Sequence, residues 1–483
     1  MKILHVGWGF QPFRRGGLIE YAEDLMEIQV KKGYEVFYFC TGRFTLLAAK
    51  PFLKTWTSNK GYKVFELWNP SIVSGLDFGM AKPEADITEP VTEDFFKKVV
   101  NEVNPEIIHV QEFLGISTSL IKWIKAQGIK IIFTVEDYFV LCPTLKLVRR
   151  DGRLCNIKDE SLGTYCADCC QYAPVNNFKY RLSSVMPQLF NNNTWSILRN
   201  VKSAVYKIAG KDNESNIAKR DNLKIEQYNK RRQFNLTAIK EIDLVIAMSN
   251  RVTAIFNYYQ PFDNITTLHL TLNHLDEIIP RRMVPSANKI VFGLINAMGT
   301  VLKGKQLLLD LFAQIARSPL KDRVQFQILG DILREDELKL QQYPFVNYAG
   351  RYSVKRLNHL LDELKIDVGI VPSLWEEAYG YVGVEFLAKG IPVIGNNIGG
   401  IPDYVKAKET GWLNESCTSD EMFSIINYIV NHPDEIISVN ENLVTNRSKY
   451  VKTMEAHFYE MDAIYQNLLQ GAASELTKSL ELK

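Results

Sequence analysis

Short β-rich runs that each lead through a loop into an amphipathic helix recur along this chain, and the series starts twice. Parallel strands need crossover helices on both faces of their sheet, so this alternation dictates doubly wound α/β domains. In the first half the runs are Ile3 to Val6, Glu35 to Cys40, Ile107 to Val110, Ile129 to Val135 and Leu244 to Met248. A helix from about Leu18 to Lys32 turns Tyr21, Leu25 and Ile28 to one face, and Gly33 ends it. From Asn288 the pattern restarts, with strands at Lys289 to Leu294, Val324 to Leu329, Val346 to Ala349, Asp367 to Val371 and Ile391 to Gly395. Helices are expected at Lys305 to Ala316, Val354 to Leu364 and from Tyr381 onward. The reading is therefore two Rossmann-like domains, 1–285 and 286–453, facing each other across a cleft at the carboxyl ends of their strands. A last segment, 454–483, is expected to return as a helix to the first domain. A chain of 483 residues can give each domain its own core.

Charge and composition narrow the function classes. Lys and Arg total 57 against 55 Asp and Glu, so no uniform positive field argues for nucleic-acid binding. No stretch of about 18 consecutive apolar residues argues for a spanning helix. The first residues read as a strand running into Gly7 rather than as a secretory leader. Seven cysteines, an odd number, fit reduced thiols, and the expected location is the cytoplasm.

Two loops carry the candidate chemistry. The loop from Gly7 to Gly17 ends in Arg14-Arg15-Gly16-Gly17, just before the first helix. It lacks the Gly-x-Gly-x-x-Gly spacing of a dinucleotide site. Its glycines serve either a tight turn or the close approach of backbone amides to a phosphate or sugar. In the second half, Glu377 and Glu385 stand eight positions apart around Tyr379-Gly380-Tyr381, where a turn enters a helix. Such a turn can offer amides to a phosphate while the carboxylates accept from sugar hydroxyls. A solvated helix face would account for either glutamate alone, but Glu385 is flanked by Val382, Val384, Phe386 and Leu387.

The stretch from Pro372 to Asp403 resembles the nucleotide-sugar site of the retaining glycosyltransferase family 4, which has the GT-B fold. The family's Glu-x7-Glu motif is matched by Glu377 and Glu385. Gly16-Gly17, Ser249, Lys303-Gly304, Gly330-Asp331 and Gly411-Trp412-Leu413 follow the family's order along most of the chain. The resemblance implies a UDP- or GDP-sugar donor and catalysis without a metal. By it, Glu385 holds the donor's ribose, Glu377 the donor sugar and Lys303 the diphosphate. Gly330, Tyr379, Gly380 and Tyr381 complete the donor set, and Gly16 and Gly17 approach the diphosphate and acceptor. Two departures stand out. Many relatives have an arginine where this chain reads Leu294-Ile295-Asn296, and many have a histidine where it has Glu136, ahead of Asp137-Tyr138 and Cys142-Pro143. Glu136 thus joins Glu377 and Lys303 as a catalytic candidate. The implied activity is a retaining hexosyl transfer to a glycan, with a lipid-linked acceptor in cell-surface polysaccharide assembly. The alternatives are a soluble acceptor or a catalytically silent nucleotide-sugar-binding subunit.

Five cysteines fall between Cys142 and Cys170, four of them in a stretch, 148–173, read as poor in secondary structure. Cys166-x2-Cys169 has the spacing of half a zinc site, which Cys142 and Cys155 would complete; a group of buried reduced thiols is the other reading. Residues 176–240 hold 13 Lys and Arg against four Asp and Glu. Within them Trp195, Leu198, Val201, Val205 and Ile208 recur at helical spacing beside Arg199, Lys202 and Lys207. That segment suits a peripheral contact with an anionic inner membrane face, or an ordinary helix packed on its domain.

Overall fold

The computed structural model describes residues 1–14, 16–48, 50–72, 79–155, 162–173, 221–283 and 289–471. The stripe from Trp195 to Ile208 and the boundary expected near Pro285 lie outside these residues. The chain divides into two compact units. The first is Met1–Ile246, Ile255–Thr266 and Ala463–Lys483; the second is Ala247–Ala254 and Thr267–Asp462.

The first unit is built on an eight-stranded sheet ordered β3-β4-β2-β1-β5-β6-β7-β8. Its strands are β1 (Lys2–Gly7), β2 (Glu35–Cys40), β3 (Phe52–Thr57), β4 (Lys63–Trp68), β5 (Ile107–Val110), β6 (Lys130–Val135), β7 (Leu244–Ala247) and β8 (Ile265–Thr267). From β4 to β6 the neighbours pair in parallel, and β3 closes the edge antiparallel to β4. Buried residues run almost without a break along β1 and β5, as expected of strands covered on both faces. Helix α1 (Gly17–Lys31) crosses over from β1, burying Tyr21, Leu25 and Met26. The hairpin of β3 and β4 escaped the sequence reading. Its Ser-Asn-Lys-Gly-Tyr turn lies between runs interrupted by Lys54 and Glu66, and no residue of β3 is fully buried.

Residues 148–173 correct the expectation of an irregular stretch. Helix α2 (Leu162–Cys169) forms there and packs on α3 (Asp221–Ile239). The charged character of α3 also misled, because two of its arginines point inward. Arg231 is 1% exposed and pairs with the fully buried Asp86 at 2.7 Å. Arg232 donates to the Leu141 carbonyl, and Asn235 donates to Val140 O and Asp86 Oδ2. Helix α3 therefore clasps the loop that follows β6.

The second unit carries a six-stranded sheet ordered β11-β10-β9-β12-β13-β14, parallel throughout. The strands are β9 (Ile290–Ile295), β10 (Val324–Leu329), β11 (Val346–Gly350), β12 (Val368–Val371), β13 (Val393–Asn396) and β14 (Gly411–Asn414). Helices α4 (Lys305–Ala316) and α5 (Tyr381–Ala388) cover it. The last helix, α6 (Met454–Leu469), starts in the second unit and ends in the first. There Tyr465 is fully buried, and its hydroxyl meets Gln29 Nε2 at 3.0 Å and His109 Nδ1 at 2.8 Å. Among the described residues no helix is long and apolar enough to cross a membrane.

Candidate functional site

At the carboxyl edge of the second sheet, β12 runs into Ser373-Leu374-Trp375-Glu376-Glu377 and then into α5. The turn needs its glycines. Gly380 caps α5 at φ 86°, and Gly399, at φ 59°, lies so close that a Cβ would stand 2.5 Å from the Glu377 carbonyl oxygen. The Gly400 amide donates to that same carbonyl at 2.8 Å. The Gly399-Gly400 pair thus holds the backbone of Glu377 in place.

The side chains follow from this frame. Lys303, at the end of a short 3-10 turn after β9, forms an ion pair with Glu377 Oε1, and Ser373 Oγ donates to Glu377 Oε2 at 2.7 Å. Burial works against the Glu377 carboxylate, but Lys303 and Ser373 outweigh it and hold the carboxyl below its ordinary range. Glu385 sits one turn into α5, 5% exposed. Its Oε1 lies 2.9 Å from His274 Nε2, while its buried Oε2 has no hydrogen-bond partner. One oxygen of Glu385 is thus anchored and the other is left for a hydroxyl donor. Gly330 directly follows β10, and Tyr379 is buried, stacked at 5.3 Å on His269, which in turn meets Asp403 Oδ2 at 2.9 Å. Lys303, Gly330, Glu377, Tyr379, Gly380, Tyr381 and Glu385 all belong to the second unit. His274, Ser373 and the pairing of Arg251 with Glu376 were not foreseen. His274 stands 111 positions before its partner, with no local motif to mark it.

Gly16, Gly17 and Glu136 belong to the first unit. Gly16 is exposed at the N-terminus of α1, a helix end with no side-chain cap. Glu136 directly follows β6 and is 5% exposed, with neither carboxylate oxygen hydrogen-bonded. Burial pushes its carboxyl well above the ordinary range, and Glu112 and Asp137 push the same way against Arg14. Asp137 rises to about 7, mainly through burial and Glu112. The Arg14 fork is committed elsewhere: it grips Glu112 at 2.7 and 2.9 Å and also donates to Trp8 O.

The cysteines expected to bind zinc form a neighbourhood of free thiols. Cys155, Cys166 and Cys169 are all pushed up by burial, with Cys142 adding to each, and Cys166 reaches about 11 despite Arg232. Arg232 Nη2 lies 3.0 Å from Cys166 Sγ, and Cys142 Sγ lies 3.2 Å from Thr144 Oγ1. Among the described residues no group of three or more His, Cys, Asp or Glu is gathered to hold a metal ion. Four thiols with a Cys-x2-Cys turn suit zinc chemically, but zinc would require them to close in and Arg232 to leave Cys166.

Comparison with known proteins agrees with this architecture. Residues 277–449 match the family model described as glycosyl transferases group 1. A curated relative, an uncharacterized 42.6 kDa protein in the cps region of Klebsiella pneumoniae, is 22% identical over 161 residues, which cover 32% of this chain and 41% of that protein. The chain thus aligns with less than half of that relative's length. Sucrose-phosphate synthase from Thermosynechococcus elongatus superposes with a TM-score of 0.59 at 18% identity, covering 97% of this chain and 99% of that one. HepE from Anabaena, solved in complex with UDP, gives 0.57 at 14% identity, covering 97% and 100%. The chain has the fold of the GT-B glycosyltransferases, with its glycosyl transferases group 1 match on the sheet that carries Lys303, Glu377 and Glu385.

Proposed function

We propose that this protein is a retaining glycosyltransferase that moves a hexosyl group from a UDP- or GDP-sugar to a glycan acceptor. The observation that carries the reading is the set of Lys303, Glu377 and Glu385 around the glycine-framed turn into α5, within the matched family segment. As the bond between the sugar and the diphosphate breaks, negative charge gathers on the leaving phosphate. The ammonium of Lys303, held by Glu377, is the group to stabilise it, together with the amides at the start of α5. The partnerless Oε2 of Glu385 accepts from the ribose, while His274 fixes the carboxylate's orientation. The HepE complex with UDP supports a nucleotide donor for a protein of this fold. A lipid-linked acceptor and a peripheral membrane location belong to the same proposal, resting on the basic residues of segment 176–240 other than the buried Arg231 and Arg232.

Calorimetry with UDP, GDP and their sugar conjugates tests the donor site. Glu385→Ala removes a charged acceptor contributing about 1.5–3 kcal/mol and should weaken nucleotide binding at least tenfold. Lys303→Met should reduce turnover far more than it raises KM. Absence of binding by any nucleoside diphosphate or its sugar would end this reading.

A further inference from the structure

The turn into α5 holds one more buried polar atom without a partner. Tyr404 ends the short helix Ile401–Tyr404, directly after the Gly399-Gly400 pair. It is 5% exposed, and its hydroxyl is buried with no hydrogen-bond partner. Buried hydroxyls ordinarily find one, because an unpaired one costs stability. The fold nonetheless makes room for this side chain. A Cβ at Gly383 would stand 2.1 Å from Tyr404 Cε2, so only a glycine lets the ring lie against the first turn of α5. Tyr379 packs edge-on against the ring at 5.6 Å, and Thr410 Oγ1 donates to the Tyr404 carbonyl at 2.7 Å. The ring is thus held from several sides while its hydroxyl is left over.

That hydroxyl lies next to Gly380. A Cβ there would stand 3.2 Å from Tyr404 Oη, and 3.5 and 3.7 Å from Cδ and Oε2 of Glu377. Gly380, at φ 86°, therefore leaves bare a spot that a phenol and a carboxylate both approach. Burial first, then Glu377, Tyr379 and Asp403, push the phenol well above its ordinary range, so it keeps its proton and can donate. Glu377, ionised beside Lys303, can only accept. An atom seated between the two must accept from Tyr404 and donate to Glu377. A phosphate oxygen cannot donate and an ammonium cannot accept, whereas a hydroxyl does both.

We infer that Tyr404 is a specificity-determining residue, its hydroxyl donating to one hydroxyl of the donor's hexosyl group while that same hydroxyl donates to Glu377 Oε2. This deepens the transferase reading and rests on it for the presence of a sugar beside Glu377. A sugar that lacks this hydroxyl, or carries it in the other configuration, leaves the phenol and the carboxylate without their shared partner, and the site discriminates against it. The unpaired hydroxyl of the free protein is then a group kept for the ligand at a cost in stability.

The test compares the full native chain with Tyr404→Phe by calorimetry. The ligands are UDP, GDP and their glucose, galactose and mannose conjugates, followed by the monodeoxy forms of whichever conjugate binds most tightly. In the variant, affinity for the free nucleoside diphosphate should stay within about twofold, and the sugar conjugate should bind about five- to tenfold less tightly. For one monodeoxy form, native and variant should bind alike, since the partner of the phenol is missing from the ligand as well. Thermal unfolding without ligand adds a second readout: removal of an unpaired buried hydroxyl should leave Tm unchanged or raise it. The inference is overturned if the conjugate binds both chains equally, if the free nucleoside diphosphate loses as much affinity as its conjugate, or if every monodeoxy form keeps the gap. A lower Tm in Tyr404→Phe would also overturn it, by making the hydroxyl a structural partner bridged through water. Any of these results with nucleotide binding intact sinks this inference alone, whereas failure of every nucleotide and conjugate to bind the native chain sinks the donor-site reading and this inference with it.

Discussion

Replacing Arg231 by Met should destabilise the protein in a strongly pH-dependent way. Arg231 and Asp86 are 1% and 0% exposed, and their contact at 2.7 Å joins α3 to the segment 84–87 under the loop carrying Glu136 and Asp137. Burial raises the Asp86 carboxyl above its ordinary 3.8, and Arg231 and Asn235 pull it part of the way back. The folded chain thus holds this proton more tightly than the unfolded chain. Stability from this group is full below the unfolded pKa and is lost as pH rises through the folded one. Without Arg231 the folded pKa rises further, and Asp86 stays protonated at neutral pH rather than lie buried as a bare charge. Holding that proton costs about 1.4 kcal/mol for each pH unit above the unfolded pKa, which caps this contribution at about 4 kcal/mol at pH 7 and about 1.6 at pH 5. Urea unfolding followed by circular dichroism at pH 5, 7 and 8.5 should therefore show a gap between native and variant that widens with pH. Adding Asp86→Leu to Arg231→Met should recover much of the loss, since the uncompensated acid is gone. A pH-independent gap, or one that the second substitution leaves unchanged, would refute this account of the pair.

Two further outcomes concern the clustered cysteines and the basic segment. The zinc reading of Cys142, Cys155, Cys166 and Cys169 forecasts about one zinc per chain in protein purified without chelator, and loss of both metal and thermal stability in Cys166→Ser; metal-free protein from the same preparation rejects it. For the basic segment, sedimentation with anionic vesicles should fall as salt rises, and reversal of Arg199, Lys202 and Lys207 to glutamate should remove about 1 kcal/mol or more of binding per site without altering nucleotide affinity; equal sedimentation with neutral vesicles would contradict an electrostatic anchor.

Both sheets were legible because their central strands are short apolar runs set off by polar residues, proline or glycine. The helix starts at Gly17, Lys305 and Tyr381 were placed to within a residue or two for the same reason. What stayed hidden has a common physical form. Arg231 and Arg232 look like a solvated basic face in a count of charges, and only the closure of α3 over the loop after β6 reveals them as internal donors to Asp86, Leu141 and Cys166. His274 looks like an isolated histidine until α5 brings Glu385 to within 2.9 Å. Periodicity reports which residues can be buried, but not which polar partner waits for them across a fold that separates the two by a hundred positions. The same limit explains Glu136. Its type and its place after β6 were visible, whereas its want of any hydrogen-bond partner is a property of the assembled edge. Burial, Glu112 and Asp137 all push that carboxyl upward while Arg14 closes on Glu112 instead, and none of these neighbours is announced by the spacing of residues along the chain.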